Sequence, residues 1–145
     1  MLPEELAGSM IQEGFVRYMT RKEEREHPGM GGRVVKDVEG GEVITIRRGL
    51  SPEVVGRVIG HELGHIKSSV QRKKYGDPDY IKNYLLDELT ADYFALGFDP
   101  SDSLRRRAIQ RRKVEARDVW ELSEEEIRVI EEEAMRISGY SGVSD

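Results

Sequence analysis

A single α+β domain is the fold class that the sequence predicts, and three observations predict it. The chain has 145 residues, room for one sizeable core and too few for two. Alternating segments around a Gly-rich turn come early, and capped helical segments fill the rest, so strands and helices are segregated along the chain. Hydrophobic residues make up 37% and charged residues 35%, enough of each for a core and a solvated surface.

Each element has a local reason. Pro3 suits a first helical position, and Leu6, Met10 and Tyr18 recur at helical spacing, which predicts a first helix over residues 1–20. The run EHPGMGG from Glu26 to Gly32 reads as a loop. RVVKDV and EVITIRR then flank a Glu39-Gly40-Gly41 turn, which predicts a β-hairpin over residues 33–48. Ser51, Pro52 and Glu53 supply an N-cap, a first-turn proline and a first-turn acid in order. A long helix should start there and run to Tyr75, with Gly76 in the left-handed cap position and Pro78 preventing continuation. Asp77-Pro78 opens a second helix to about Leu96, ended by Gly97 and Pro100, so residues 51–97 hold two successive helices. Leu85, Leu89 and Leu96 read as core positions on the second.

Residues 101–145 read as a helical extension of the same domain, which spans 1–145. Ser101 and Asp102 cap a helix through Arg117, and Ser123 with Glu126 forms a capping box for a last helix ending near Ile137. Residues 101–117 carry seven Lys/Arg against two acids, and residues 118–133 carry eight acids against one Arg. Two oppositely charged helices that pack together or face solvent account for this better than nucleic-acid binding does.

Composition excludes several kinds of chemistry. Without Cys there can be no disulfide framework, thiolate nucleophile, Cys-ligated zinc or iron–sulfur cluster, so any metal must be held by His, Asp or Glu. A net charge of -5 argues against coating nucleic acid. The first residues lack a basic, then apolar, leader pattern, and no apolar run nears the ~18 residues of a membrane span. A cytoplasmic location without membrane association is the expectation.

Two of the three His lie in His61-Glu62-Leu63-Gly64-His65, the HExxH pattern, within the first long helix. Imidazoles four residues apart project from one helix face and can reach a single ion. Glu62, about 100° round the helix, is left to act as general base. Helix arithmetic then locates a third ligand. Ten residues from His65 to Tyr75 climb about 15 Å, and ten residues returning antiparallel from Pro78 descend as far to Glu88. One turn on, Asp92 comes level with His61, where it can accept the outer ring N–H. Asp87 competes with Glu88 for the ligand role, but about 100° away it should face elsewhere if Glu88 and Asp92 face the first long helix. Gly56, Gly60 and Gly64 recur every four residues despite costing helix stability, which points to close packing against the Glu88 helix.

These residues carry a resemblance. ITIRRGLSPEVVGRVIGHELGH followed by LLDELTADYFAL, about residues 43–96, resembles a gluzincin-type zinc metallopeptidase, in particular the ImmA/IrrE family and other minimal gluzincins. The resemblance implies a zincin-like domain with Zn2+ on His61, His65 and Glu88, Glu62 as general base and Asp92 supporting a ligand. It implies a metalloendopeptidase that hydrolyses peptide bonds of a protein or peptide substrate by way of a zinc-bound water. It also implies that the strand Val43, Ile44, Thr45, Ile46 and Arg47 borders the cleft and pairs with extended substrate. In the ImmA/IrrE family the substrate is often a partner repressor, so a repressor-like partner is the expected kind of target. Tyr84, Tyr93, Tyr75 and His27 are candidates for stabilising the oxyanion, with core or loop roles as their alternatives. The tail SGYSGVSD could fold over the cleft and hold the enzyme latent. The rival to the enzyme is a non-proteolytic interaction or regulatory module stabilised by the same metal.

Overall fold

The fold, described here from a computed structural model for residues 16–36, 39, 41–67 and 73–140, is α+β: a three-stranded mixed sheet on one side and five helices. The order is β1 (Val16–Tyr18), α1 (Arg21–Glu26), β2 (Gly32–Lys36), β3 (Glu42–Ile46), α2 (Pro52–Lys67), α3 (Tyr80–Phe98), α4 (Ser103–Asp118) and α5 (Glu124–Ser138).

The predicted hairpin is present as β2 and β3, antiparallel with Val34 opposite Ile44. The first helix is not present where it can be described. Residues 1–15 lie outside the described part, and Val16–Tyr18 pairs parallel to β3, with Val16 opposite Ile44 and Tyr18 opposite Ile46. A β-branched and an aromatic residue suit a strand, and β3 offers them an edge, so tertiary pairing overrides the helical spacing. Sheet order is therefore β1-β3-β2. The short α1 was signalled by Thr20 and Glu23, whose side chains close a reciprocal capping box.

Ser51 caps α2 as expected, its Oγ accepting from Val54 N at 3.3 Å. The helix does not run to Tyr75: residues 73–79 are non-helical, with Lys73 N–H donating to Asn83 Oδ1 at 2.9 Å and Gly76 at φ +99°. Nor does α3 start at Pro78. Asp77 Oδ1 accepts from Asp79 N, and its carbonyl accepts from Tyr80 N, which keeps Pro78 in the turn. Asp102 and Ser123 cap α4 and α5 as predicted.

Two apolar clusters hold the layers together. Ile44, Ile46 and Ile59 join the sheet to α2, while Leu85, Leu89, Leu96, Ile109, Ile127 and Ile130 join α3 to α4 and α5. Helix α3, buried on several sides, is the central element between α2 and the C-terminal pair. The glycines of α2 let it approach α3 closely: a Cβ on Gly64 would lie 2.7 Å from Ala91 Cα, and one on Gly60 would lie 3.4 Å from Ala95 Cβ. Among the described residues no helix is long and apolar enough to cross a membrane.

Candidate metal centre

The close α2–α3 seam brings His61, His65, Glu88 and Asp92 together. His61 Nδ1 lies 2.8 Å from Asp92 Oδ1, and His65 Nδ1 lies 3.1 Å from Asp87 Oδ1. Both contacts put a ring proton on Nδ1, so each imidazole donates outward to a buried carboxylate and turns Nε2 inward. The two Nε2 atoms are 3.1 Å apart, and Glu88 faces both, with Oε2 at 3.2 Å from His61 Nε2 and Oε1 at 3.6 Å from His65 Nε2.

Those separations test the fit of a metal. Donors around a tetrahedral zinc ion with bonds of about 2.0–2.1 Å sit about 3.3 Å from one another. Here, in the one such group among the described residues, the two Nε2 atoms are 3.1 Å apart and each lies 3.2 or 3.6 Å from a different oxygen of Glu88, close to that spacing. A nitrogen–nitrogen–carboxylate set suits Zn2+, and the residues present fit it.

Charge points the same way. Burial disfavours imidazolium at His65, yet hydrogen bonds to Asp87 and Glu88 outweigh it and raise its pKa to about 10. His61 shows the same contest, burial lowering and Asp92 and Glu88 raising, with a net upward shift. The carboxyls of Glu88 and Asp92 are held below their ordinary values although burial opposes this, because the histidines donate to them, and Arg105 and Arg112 add attraction at Asp92. The pocket is built to hold positive charge between its carboxylates.

Three residues to which the sequence reading gives no place in the site complete the surroundings. Asp87 does not face elsewhere; it takes the outer ring N–H of His65, because helices this close bring positions on both flanks of Glu88 into contact. Arg105 Nη1 donates to Asp92 Oδ1 at 3.0 Å, and its Nη2 donates to the Arg57 carbonyl at 2.8 Å. Arg112 Nε donates to Asp92 Oδ2 at 2.7 Å, and its Nη2 lies 3.2 Å from Glu88 Oε2. These two members of the basic run turn inward rather than to solvent or to α5. Their spacing of seven, two helical turns, was the available signal.

A cleft of about 670 Å³ opens on the donors, lined by His61, Glu62, His65, Glu88 and residues of β2 that include Arg33 and Lys36. Glu62 is thus on the wall of the cleft, beside the histidines. The expected bordering strand is corrected: Ile44, Thr45 and Ile46 pair on both sides, with β1 and β2, Val43 pairs with Val35, and Arg47 N–H donates to the Gly31 carbonyl. A central strand has no edge to offer there; among the described residues, the strand that lines the cleft and pairs on one side only is β2.

The oxyanion candidates stand outside the cleft lining. Tyr93 donates to Glu131 at 2.7 Å, Tyr84 packs against Trp120, Tyr75 is 90% exposed and His27 contacts Arg33. Of the tail, Tyr140 packs on Tyr93 and accepts from Arg106, away from the cleft, and residues 141–145 lie outside the described part. No protein-family model matches the chain, nor does any curated protein or solved structure.

Proposed function

We propose that the chain is a zinc-dependent metalloendopeptidase of the minimal gluzincin kind, with His61, His65 and Glu88 holding the ion. The observation that carries this reading is the outward commitment of both Nδ1–H groups to Asp92 and Asp87, which leaves two Nε2 atoms and one carboxylate converging at close to zinc-like spacing. When bound there, zinc supplies Lewis acidity and an activated water at neutral pH. Glu62, on the cleft wall, takes the proton of the attacking water and returns it to the leaving amine. The edge of β2 that no described strand covers binds an extended peptide through backbone hydrogen bonds, and Arg33 and Lys36 bring positive charge to the same wall. Asp87 and Asp92 hold the imidazoles in one tautomer and orientation.

A structural zinc is closed by four protein ligands as a rule, whereas the described residues bring three donors together beside an open cleft. That favours catalysis over a metal-stabilised interaction module. A repressor-like protein remains the kind of substrate that the resemblance to the ImmA/IrrE family suggests.

The test pairs metal content with cleavage of a mixed peptide library. Native protein should carry one zinc per chain. Glu62→Gln should keep the zinc and lose about 10²–10⁴-fold in rate, while Glu88→Ala should lose the zinc itself. A metal-free native chain, or full activity in Glu62→Gln, would end the proposal.

A further inference from the structure

The basic run of α4 sends one side chain across two carboxylates of the site. Arg112 Nε donates to Asp92 Oδ2 at 2.7 Å, while Nη2 lies 3.2 Å from Glu88 Oε2, the oxygen that faces His61. Asp92 in turn holds His61 Nδ1 at 2.8 Å through its other oxygen. A closed circuit results: His61, Asp92, Arg112, Glu88 and back to His61. Glu88 and Asp92 are neighbours on one face of α3, but a helix backbone leaves the outer torsions of a glutamate free. The planar guanidinium removes that freedom by presenting two N–H donors at a fixed angle.

We propose that Arg112 is a positioning residue for the metal centre, bridging Glu88 and Asp92 so that the carboxylate ligand and the support of His61 are held as one unit. The inference rests on the metal-centre reading of His61, His65 and Glu88. It makes α4, and with it the C-terminal extension, part of the site.

Charge and positioning predict opposite signs. A cation beside the site repels a divalent ion, so if Arg112 acted by charge alone, its removal would tighten metal binding. If it positions Glu88, its removal loosens binding, as loss of outer partners of metal ligands does elsewhere. Arg112→Ala should fold, since Asp92 keeps His61 and Arg105 as partners, and the Arg112 side chain is 30% exposed, so water can enter where it stood.

The experiment is zinc titration of the metal-stripped full chain in competition with a chromogenic chelator. Melting curves of the stripped proteins and the visible spectrum of the cobalt(II) forms accompany it. Arg112→Ala should bind zinc roughly 10–100-fold more weakly than the parent and shift the cobalt bands, with the stripped protein melting near the parent. Arg112→Lys keeps the charge but not the fork and should also lose at least about tenfold in affinity. Arg111→Ala, exposed one residue earlier, should match the parent. Equal or tighter binding by Arg112→Ala overturns the proposal, as does parent-like binding by Arg112→Lys, which also decides if the alanine variant fails to fold. A parent that binds no zinc overturns the metal-centre reading together with this one; a zinc-binding parent with an indifferent Arg112 overturns this one alone.

Discussion

Asp92 has no exposed surface, and a carboxylate so buried persists as an anion because His61, Arg105 and Arg112 all donate to it. Replacing it with Ala strands two guanidinium groups in a half-buried seam. Asp92→Ala should therefore cost about 3–5 kcal/mol in urea unfolding of the metal-free protein. Asp87→Ala, which takes the acceptor from His65 Nδ1–H, should cost less stability but weaken zinc binding by roughly 10–100-fold. A reversed order, with Asp87 dominating stability, would contradict the roles drawn from their contacts. At this scale the sequence was informative where helix geometry alone decides. HExxH puts two imidazoles on one face, and equal climbs out and back put Glu88 and Asp92 level with them. The level survived although α2 does not reach Tyr75, because the close approach of Gly64 to Ala91 sets the height of α3 on α2. Asp87, Arg105 and Arg112 were hidden for a related reason: which side chains turn into a seam depends on how near the helices come, and spacing along one helix does not contain that distance.

Among the elements, those with caps were legible and those made by pairing were not. Ser51, Asp102 and Ser123 each satisfy orphan N–H groups within their own turn, so the starts of α2, α4 and α5 follow from local chemistry. The strand β1 exists because β3 has an edge for it, and the same pairing turned β3 into a central strand and gave the cleft edge to β2. The α2–α3 contact yields a prediction of sign. Gly64→Ala gains about 1 kcal/mol of helix propensity but drives a Cβ to 2.7 Å from Ala91 Cα, a backbone atom that cannot yield. Overpacking of that kind costs about 1–3 kcal/mol, so the substitution should lower the melting temperature and weaken zinc binding by parting the helices. A more stable Gly64→Ala would show that the seam is looser than these contacts require. The capping box of α5 yields a pH dependence. Glu126 is lowered from its ordinary 4.5 to about 2, first by the hydrogen bond from Lys82 and then by the Ser123 N–H. A depressed carboxyl stabilises the fold above its unfolded value and loses that contribution as pH falls through its folded one. Glu126→Gln should thus melt below the parent at pH 7, with the gap closing between about pH 4.5 and 2. A gap that does not change over that range would rule the carboxylate out as its source.

Over the whole molecule, the donor set ties together layers whose apolar clusters are separate. The sheet packs on α2 through one cluster, and α3, α4 and α5 pack through another, while His61 and His65 of α2 meet Glu88 of α3 at the seam between them. An ion bound only by the folded seam stabilises the fold by RT ln(1 + [L]/Kd), about 4 kcal/mol when free zinc is a thousandfold above its dissociation constant. For a chain of this size each kcal/mol moves the melting temperature by about 2–4 °C, so stripping the metal should lower the midpoint by roughly 8–16 °C. If the proposed ion joins the halves, the loss should appear in both as one transition rather than as early melting of either. Glu62→Gln should show the same shift, since Glu62 stands on the cleft wall and outside the donor set, and Glu88→Ala should show almost none. Thermal melts of the three proteins with zinc and with chelator decide the matter: a full shift in Glu88→Ala would put the stabilising ion somewhere other than the α2–α3 seam, and a shift confined to the native chain would make Glu62 a ligand rather than a base.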